Sequence, residues 1–196
     1  MNKNILLSGV GGQGTVLASK LLAQAAMNRG EFARTAETIG MAQRGGCVVS
    51  HVRIGDVIHS PLIPQGGADM IIGFEPAEAV RCLDFLKPGG VVVVSSKAIA
   101  PITASLSGSD YSGEEMLSFL KEGVERLLIL DAEPICESCG TAKVLNVALL
   151  GAALSTGVLE LSIDEMKRTI TERVPERFAE MNLKALALGA ASGMEE

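Results

Sequence analysis

Two glycine-rich stretches hold the residues of this chain best suited to gripping a ligand. The first, Gly9-Val-Gly11-Gly12-Gln13-Gly14, fits the pattern G-x-G-x-x-G. Small residues there let the backbone approach a phosphate, and the free amides of a following helix start can hold an anion. Gln13 can add its own donor to the amides of Gly12 and Gly14, or it can cap the helix. The second stretch, Met41-Ala-Gln-Arg-Gly-Gly46, places Arg44 before Gly45 and Gly46. A planar guanidinium in such a turn can reach a phosphate or carboxylate, or brace the turn or an interface through a salt bridge. These residues are the candidate binding set, and none is assigned a catalytic or metal-ligating role.

The other chemistry-bearing residues are less well arranged. Cys136-Glu-Ser-Cys139 before a helix resembles a redox pair, since a helix N-terminus stabilises a thiolate. One such pair supplies half a zinc site, however, and no His lies nearby to complete it. Ordinary reduced thiols are therefore expected for Cys47, Cys82, Cys136 and Cys139. His51 and His59 have no neighbouring carboxylate or Cys in a recognisable pattern, so a surface or packing role is expected. Asn146, among Val144, Leu145, Val147 and Leu149, is expensive to bury unpaired. It either hydrogen-bonds the glycine turns or faces a subunit interface.

The elements that position these residues read as an α/β chain. Asn4 to Ser8 is a short apolar run entering glycine, and Thr15 to Asn28 is apolar at helical spacing until Gly30, giving strand, turn, helix. Cys47 to Ile54 and Val57 to Ser60 are β-branched segments around Gly55-Asp56, read as a hairpin that makes the sheet mixed. Asp69 to Phe74, Gly90 to Ser95 and Arg126 to Asp131 are continuous apolar runs, as strands covered on both faces should be. A helix is expected over Pro76 to Leu86, ended by Pro88-Gly89-Gly90. Ser112-Gly-Glu-Glu115 and Ser162-Ile-Asp-Glu165 match the capping box, placing helix starts near Gly113 and Ile163. Thr141 to Ser155 and Glu176 to Leu188 complete an α-rich final third. The expected architecture is a single three-layer α/β/α domain over 1–190, with a mixed, mainly parallel sheet including a β-hairpin. A flexible tail is expected at 191–196, drawn from the Ala/Gly/Ser stretch after Gly189.

Composition narrows the function. The 196 residues are 47% hydrophobic and 20% charged, a globular balance with enough chain for one core. With 17 basic against 23 acidic residues, a net charge of -6 and 3% aromatics, a nucleic-acid partner is unexpected, because phosphate backbones want positive charge and single-stranded bases want stacking rings. No apolar run is long enough to span a bilayer and no secretory leader is read, so a soluble cytoplasmic protein is expected. A dinucleotide site also wants an acid about 20 residues past the glycines, at the end of a second strand. Here Glu31 and Glu37 flank Phe32 to Ala36, a poor strand containing Arg34. Phosphate binding and a plain strand-to-helix turn both remain open on these grounds.

The two glycine motifs together, followed by the Cys47-Val-Val-Ser-His-Val-Arg-Ile54 segment, resemble the gamma domain of the pyruvate and ketoisovalerate:ferredoxin oxidoreductase family. Thr38, the Asp69-Met-Ile-Ile-Gly-Phe-Glu75 strand, Leu86-Lys-Pro-Gly-Gly90, and Lys143-Val-Leu-Asn146 to Gly151 fall in the family's order, so the resemblance covers most of the chain. It implies an accessory subunit, inactive alone, in a complex that oxidatively decarboxylates a 2-oxoacid. Partner subunits would carry thiamine diphosphate and iron-sulfur clusters, with coenzyme A as acyl acceptor and ferredoxin as electron acceptor. The Met-Ala-Gln-Arg-Gly-Gly form is most similar to the indolepyruvate type, whose large subunit holds the other modules. The pyruvate, ketoisovalerate or 2-oxoglutarate types are the alternative, and a free-standing nucleotide-binding oxidoreductase or a purely structural module are rivals of other classes. The sequence agrees by omission: Gly55-Asp56 is followed by Val57 rather than the second glycine of a Gly-Asp-Gly thiamine-diphosphate start, and there is no ferredoxin-type cysteine run. Surfaces that meet a large partner also imply that the isolated chain self-associates or depends on its partner for full stability.

Overall fold

The computed structural model describes residues 1–39, 45–100 and 111–193. Its strands are β1 (Lys3–Val10), β2 (Ala33–Ile39), β3 (Cys47–Ile54), β4 (Ala68–Gly73), β5 (Leu86–Ser95) and β6 (Arg126–Leu130), in one sheet of order β2-β3-β1-β4-β5-β6. Helices α1 (Thr15–Asn28), α2 (Pro76–Arg81), α3 (Glu114–Gly123), α4 (Glu133–Ser138), α5 (Leu145–Ser155), α6 (Ile163–Arg173) and α7 (Glu176–Ser192) complete the described elements. The pairs β1–β4, β4–β5 and β5–β6 are parallel, whereas β3 runs antiparallel to both β1 and β2. The sheet is thus mixed and mainly parallel, as expected.

The apolar runs became strands because both faces are covered. Ile5, Leu7, Met70, Ile72, Val91, Val93, Leu128 and Leu130 point into one core with α1, α5, α6 and α7. Their alternating neighbours Leu6, Ile71, Val92 and Val94 point into a second core with Ala79 and Cys82 near α2 and Leu120 of α3. Period-two alternation within an unbroken apolar sequence is what such a central sheet requires.

Four expectations are corrected. The hairpin partner of β3 is β2, paired from Ala33↔Ile54 to Ile39↔Val48, and Val57 to Ser60 is not a strand. The poor strand at Phe32 to Ala36 is thus part of a real one, polar because it lies at a sheet edge where fewer of its side chains are buried. The helix after Pro76 stops at Arg81, a short 3-10 turn follows at Leu83–Phe85, and Pro88-Gly89-Gly90 lies inside β5. There Gly89 takes φ 69° and the pairing with β4 jumps from Ala68↔Leu86 to Met70↔Val91. The capping box at Ser162 forms completely, but that at Ser112 does not, because Gly113 takes the cap position in a left-handed conformation. Finally, α7 continues past Gly189 to Ser192, with Gly189 and Ala190 buried; the tail residues 194–196 lie outside the described residues.

That continuation has a packing cause. Every residue of α5 from Leu145 to Leu154 is buried, so this helix is enclosed all round, and α7 covers it by close backbone approach. A Cβ on Gly189 would sit 2.0 Å from the Ala148 carbonyl oxygen, and one on Gly151 would sit 2.2 Å from that of Leu186. Backbone atoms cannot give way as a flexible side chain can. Gly189→Ala should therefore destabilise the fold by about 3 kcal/mol or more, read by urea unfolding.

Candidate functional site

The site is built where the chain changes direction. The helix after β1 packs into one core and the helix after β4 into the other, so the carboxyl ends of these adjacent parallel strands open a crevice, the usual ligand position in an open α/β sheet. Its floor is held by Gln13. The Gln13 Oε1 accepts from the Val10 amide at 2.7 Å, and its Nε2 donates to the Phe74 carbonyl at 2.8 Å. The Phe74 amide in turn donates to the Ser8 carbonyl at 2.7 Å. Of the two roles considered for Gln13, ligand donor or helix cap, these bonds make neither: its amide is engaged in joining the strand ends.

The glycines differ in what they allow. A Cβ on Gly9 would lie 2.7 Å from the Phe74 Cβ and 2.8 Å from the Gln13 Oε1. Gly14 is left-handed at φ 85° and caps α1 without a side-chain bond. Behind it stands Asn146, 2% exposed, whose Nδ2 donates to the Gly14 carbonyl at 3.4 Å and whose Oδ1 accepts from the Val147 amide at 2.9 Å. The first reading of Asn146, a bond to the glycine turn, is the one formed. Gly12, at φ 108°, has nothing within 4 Å of where a Cβ would be. No acidic residue occupies the first turn of α1, so its uncapped amides and helix dipole favour an anion above Gly12.

The second motif closes on the first. Because Val10 pairs with Cys47, the Gly11 amide reaches the Gly46 carbonyl at 2.8 Å, and the Gly45 amide, at φ 75°, reaches the Gly11 carbonyl at 3.4 Å. Gly11, Gly45 and Gly46 are thereby brought together. Arg44, with the rest of residues 40–44, lies outside the described residues.

Sequence reasoning missed the opposite wall. Glu75 caps α2, its Oε2 accepting from the Glu78 amide at 3.0 Å and its Oε1 from the Tyr111 hydroxyl at 2.5 Å. Burial, then the Glu75 carboxylate, holds the Tyr111 hydroxyl well above its ordinary range, so it stays a neutral donor. An acid directly before Pro76 with Glu78 three residues on was a readable cap signal for Glu75; nothing local marked Tyr111. Glu78 is 6% exposed; its Oε1 lies 3.3 Å from the Arg81 Nη1, while among the described residues its Oε2 and the buried Ser8 Oγ have no hydrogen-bond partner. Burial and then the adjacent Glu78 push the Cys47 thiol up to about 12, although the residue as a whole is exposed. Burial likewise pushes Cys82 up to about 11.

The remaining candidates lie elsewhere. Cys136 is inside α4 and Cys139 is its C-cap, so the pair sits at the helix end whose dipole opposes a thiolate, and burial raises the Cys136 thiol further. The expected helical segment does follow the pair, from Ala142, but α4, which the sequence reading did not include, places the pair at a helix C-terminus. His51 has the expected packing role: 5% exposed, it accepts from the Ile63 amide through Nδ1 at 3.2 Å, and burial lowers its pKa. Among the described residues no three His, Cys, Asp or Glu side chains converge as metal ligands. Glu37 lies within β2, one strand removed from β1 because β3 intervenes, a place from which it cannot serve as the ribose-binding acid of a dinucleotide fold.

The family model for pyruvate ferredoxin/flavodoxin oxidoreductase matches residues 4–192. The chain belongs to that family. It is 38% identical to indolepyruvate oxidoreductase subunit IorB of Pyrococcus horikoshii, over 98% of this chain and 96% of that one. It is 29% identical to the pyruvate/ketoisovalerate oxidoreductases common subunit gamma of Thermococcus kodakarensis, over 92% and 91%. Among solved structures it is similar to the keto/oxoacid ferredoxin oxidoreductase gamma subunit of Geobacter sulfurreducens, with 26% identity, TM-score 0.72 and 99% of each chain covered. The 2-oxoglutarate:ferredoxin oxidoreductase of Magnetococcus marinus, solved with 2-oxoglutarate, coenzyme A and succinyl-CoA, shares the fold at TM-score 0.75 and 18% identity; the match covers all of this chain and 31% of that one. There the matching fold is one part of a longer polypeptide.

Two outcomes test this geometry. Gln13→Ala strands a strand-end amide and carbonyl, so it should lower stability by about 2–4 kcal/mol in urea unfolding. At pH 8 a thiol at about 12 has roughly a thousandth of the thiolate of one at 9.0, partly offset by greater nucleophilicity. Cys47 should therefore alkylate about 30- to 60-fold more slowly than an ordinary cysteine, and faster in Glu78→Gln, as followed by site-resolved mass spectrometry.

Proposed function

We propose that the chain is the gamma-type accessory subunit of an indolepyruvate:ferredoxin oxidoreductase complex. Such a complex oxidatively decarboxylates an aryl-pyruvate, passing the acyl group to coenzyme A and the electrons to ferredoxin. The observation that carries this reading is the greater identity to the IorB relative than to the pyruvate/ketoisovalerate gamma subunit, at nearly full coverage of both chains. A gamma subunit of a pyruvate, ketoisovalerate or 2-oxoglutarate enzyme is the second reading, favoured by the likeness to the Geobacter gamma subunit.

Thiamine diphosphate and iron-sulfur clusters do not fit this chain. Gly55-Asp56-Val57 lacks the second glycine of Gly-Asp-Gly, and the cysteines are divided among separate elements: Cys47 opens β3, Cys82 follows α2, and Cys136 and Cys139 lie at α4. The reading therefore assigns those groups to a large partner subunit. Coenzyme A fits better, because its phosphates are anions and the open space over Gly12, beside uncapped α1 amides, favours an anion. The residues that would hold it are Gly9, Gly11, Gly12, Gln13, Gly14, Arg44, Gly45 and Gly46, with Gly9 and Gln13 shaping the crevice rather than donating. Coenzyme A supplies the thiol that accepts the acyl group; this chain's part is to position and shield it. A cytoplasmic location accompanies this reading, and among the described residues no helix is long and apolar enough to cross a membrane.

Purification from the native host with bound partners is expected to recover a large thiamine diphosphate and iron-sulfur subunit and a preference for indolepyruvate. A preference for pyruvate or 2-oxoglutarate would transfer the chain to the second reading, and recovery of no such subunit would end both. Within the complex, helix-end amides each hold an anion by about 0.3–1 kcal/mol and a charge-assisted Arg contact by about 1.5–3 kcal/mol. Arg44→Ala should raise the coenzyme A requirement roughly 10- to 100-fold with assembly intact. Unaltered coenzyme A dependence in a normally assembled variant would leave Arg44 a bracing role.

A further inference from the structure

A cavity of about 480 Å³ lies between the first turn of α1, the 3-10 turn Ala142–Val144 and the joint between α6 and α7. Its walls are apolar: Leu17, Val144, Val174, Phe178 and Met181. Leu17 and Phe178 remain 43% and 39% exposed, so the walls are not consumed by internal packing. Among the described residues that line it, two are cations, Lys143 and Arg173, and none is an acid. That bias runs against a chain with 23 acidic and 17 basic residues. Arg173 is held in place by a hydrogen bond to the Gln24 side chain, and the Arg177 guanidinium lies 4.7 Å over the Phe178 ring, fixing the apolar wall. The Asn182 Nδ2 is engaged by the Phe178 carbonyl at 2.7 Å, leaving the two cations as the charged features a ligand would meet.

We propose that this cavity binds a small apolar carboxylate, with the ring or branched chain against Leu17, Val174 and Phe178 and the carboxylate between Lys143 and Arg173. The volume is that of a small-molecule pocket, and an apolar pocket with a few convergent polar groups is the usual form of such a site. Two cations lining one cavity, with no acid among its described lining residues, favour a carboxylate over the neutral amide of the same shape, since only the carboxylate gains charge-assisted hydrogen bonds. The inference rests on the cavity alone and stands apart from the accessory-subunit reading.

The test uses the full chain, titrated with indole-3-acetate and phenylacetate, with phenylacetamide as the neutral comparison, and followed by calorimetry and amide chemical shifts. Binding is expected with a Kd on the order of 0.1–1 mM for the acids and roughly 10-fold weaker for the amide. Lys143→Gln and Arg173→Gln should each weaken the acids by roughly 10-fold and leave the amide unchanged. Because Arg173 also bonds Gln24, Lys143→Gln alone decides the matter if Arg173→Gln unfolds. No binding at 10 mM, about the upper end of useful affinity for such fragments, would overturn the proposal. So would equal affinity for acid and amide, unchanged affinity in Lys143→Gln, or protection of the cavity by a partner subunit with no acid bound. Turnover by the assembled complex is a separate measurement, so failure here leaves the accessory-subunit reading untouched.

Discussion

The geometry around the crevice depends on one side-chain amide that spans two strand ends. Gln13 satisfies a backbone donor on β1 and a backbone acceptor after β4, at the point where sheet hydrogen bonding stops and both chains turn away to opposite faces. Without it, two backbone groups at the strand ends would lose their partners. Its position forces the rest: Gly9 can carry no side chain because Gln13 and Phe74 fill that space, and Gly14 can carry none because Asn146 does. The opening glycine motif is thus three separate demands, two of close approach and one of open space at Gly12.

The antiparallel β3 is the second organising feature. By entering between β1 and β2 it delivers Gly45 and Gly46 to the glycine loop through backbone bonds, and it moves the acid of a dinucleotide site one strand away. A motif shared with nucleotide-binding enzymes therefore acquires a different neighbourhood. What decides its chemistry is the strand inserted beside it rather than the glycines themselves.

Most of the fold was legible where burial is extreme. β4 and β5 announced themselves as unbroken apolar runs because they are covered twice; β6, although an edge strand and only partly buried, is apolar because residues on both of its faces still pack against the two cores. The Ser162 box could be read because its partners are local. β2 was not legible: an edge strand with polar residues resembles a loop, and Gly55-Asp56 offered a more familiar turn than the connection used. The Ser112 box failed because Gly113 took the cap position itself in a left-handed conformation. In the site, glycine spacing exposed the crevice, but the Glu75–Tyr111 contact joins residues distant in sequence, and α4 was not read at all because a single short turn-and-a-half leaves too little periodicity, so Cys136 and Cys139 were seen only against the helix that follows.

The enclosure of α5 also constrains how the molecule comes into being. Its buried span, Leu145 to Leu154, is synthesised ahead of α7, the helix whose backbone lies directly against it. On the ribosome, the most apolar helix of the domain must wait uncovered for its lid, sheltered only by the sheet and α1 already made. Chains interrupted in that interval would display a sticky surface to chaperones or to one another. Coverage by bare backbone at Gly151 and Gly189 leaves no looser arrangement in which to pause, so completion of this domain is a late and nearly all-or-none event.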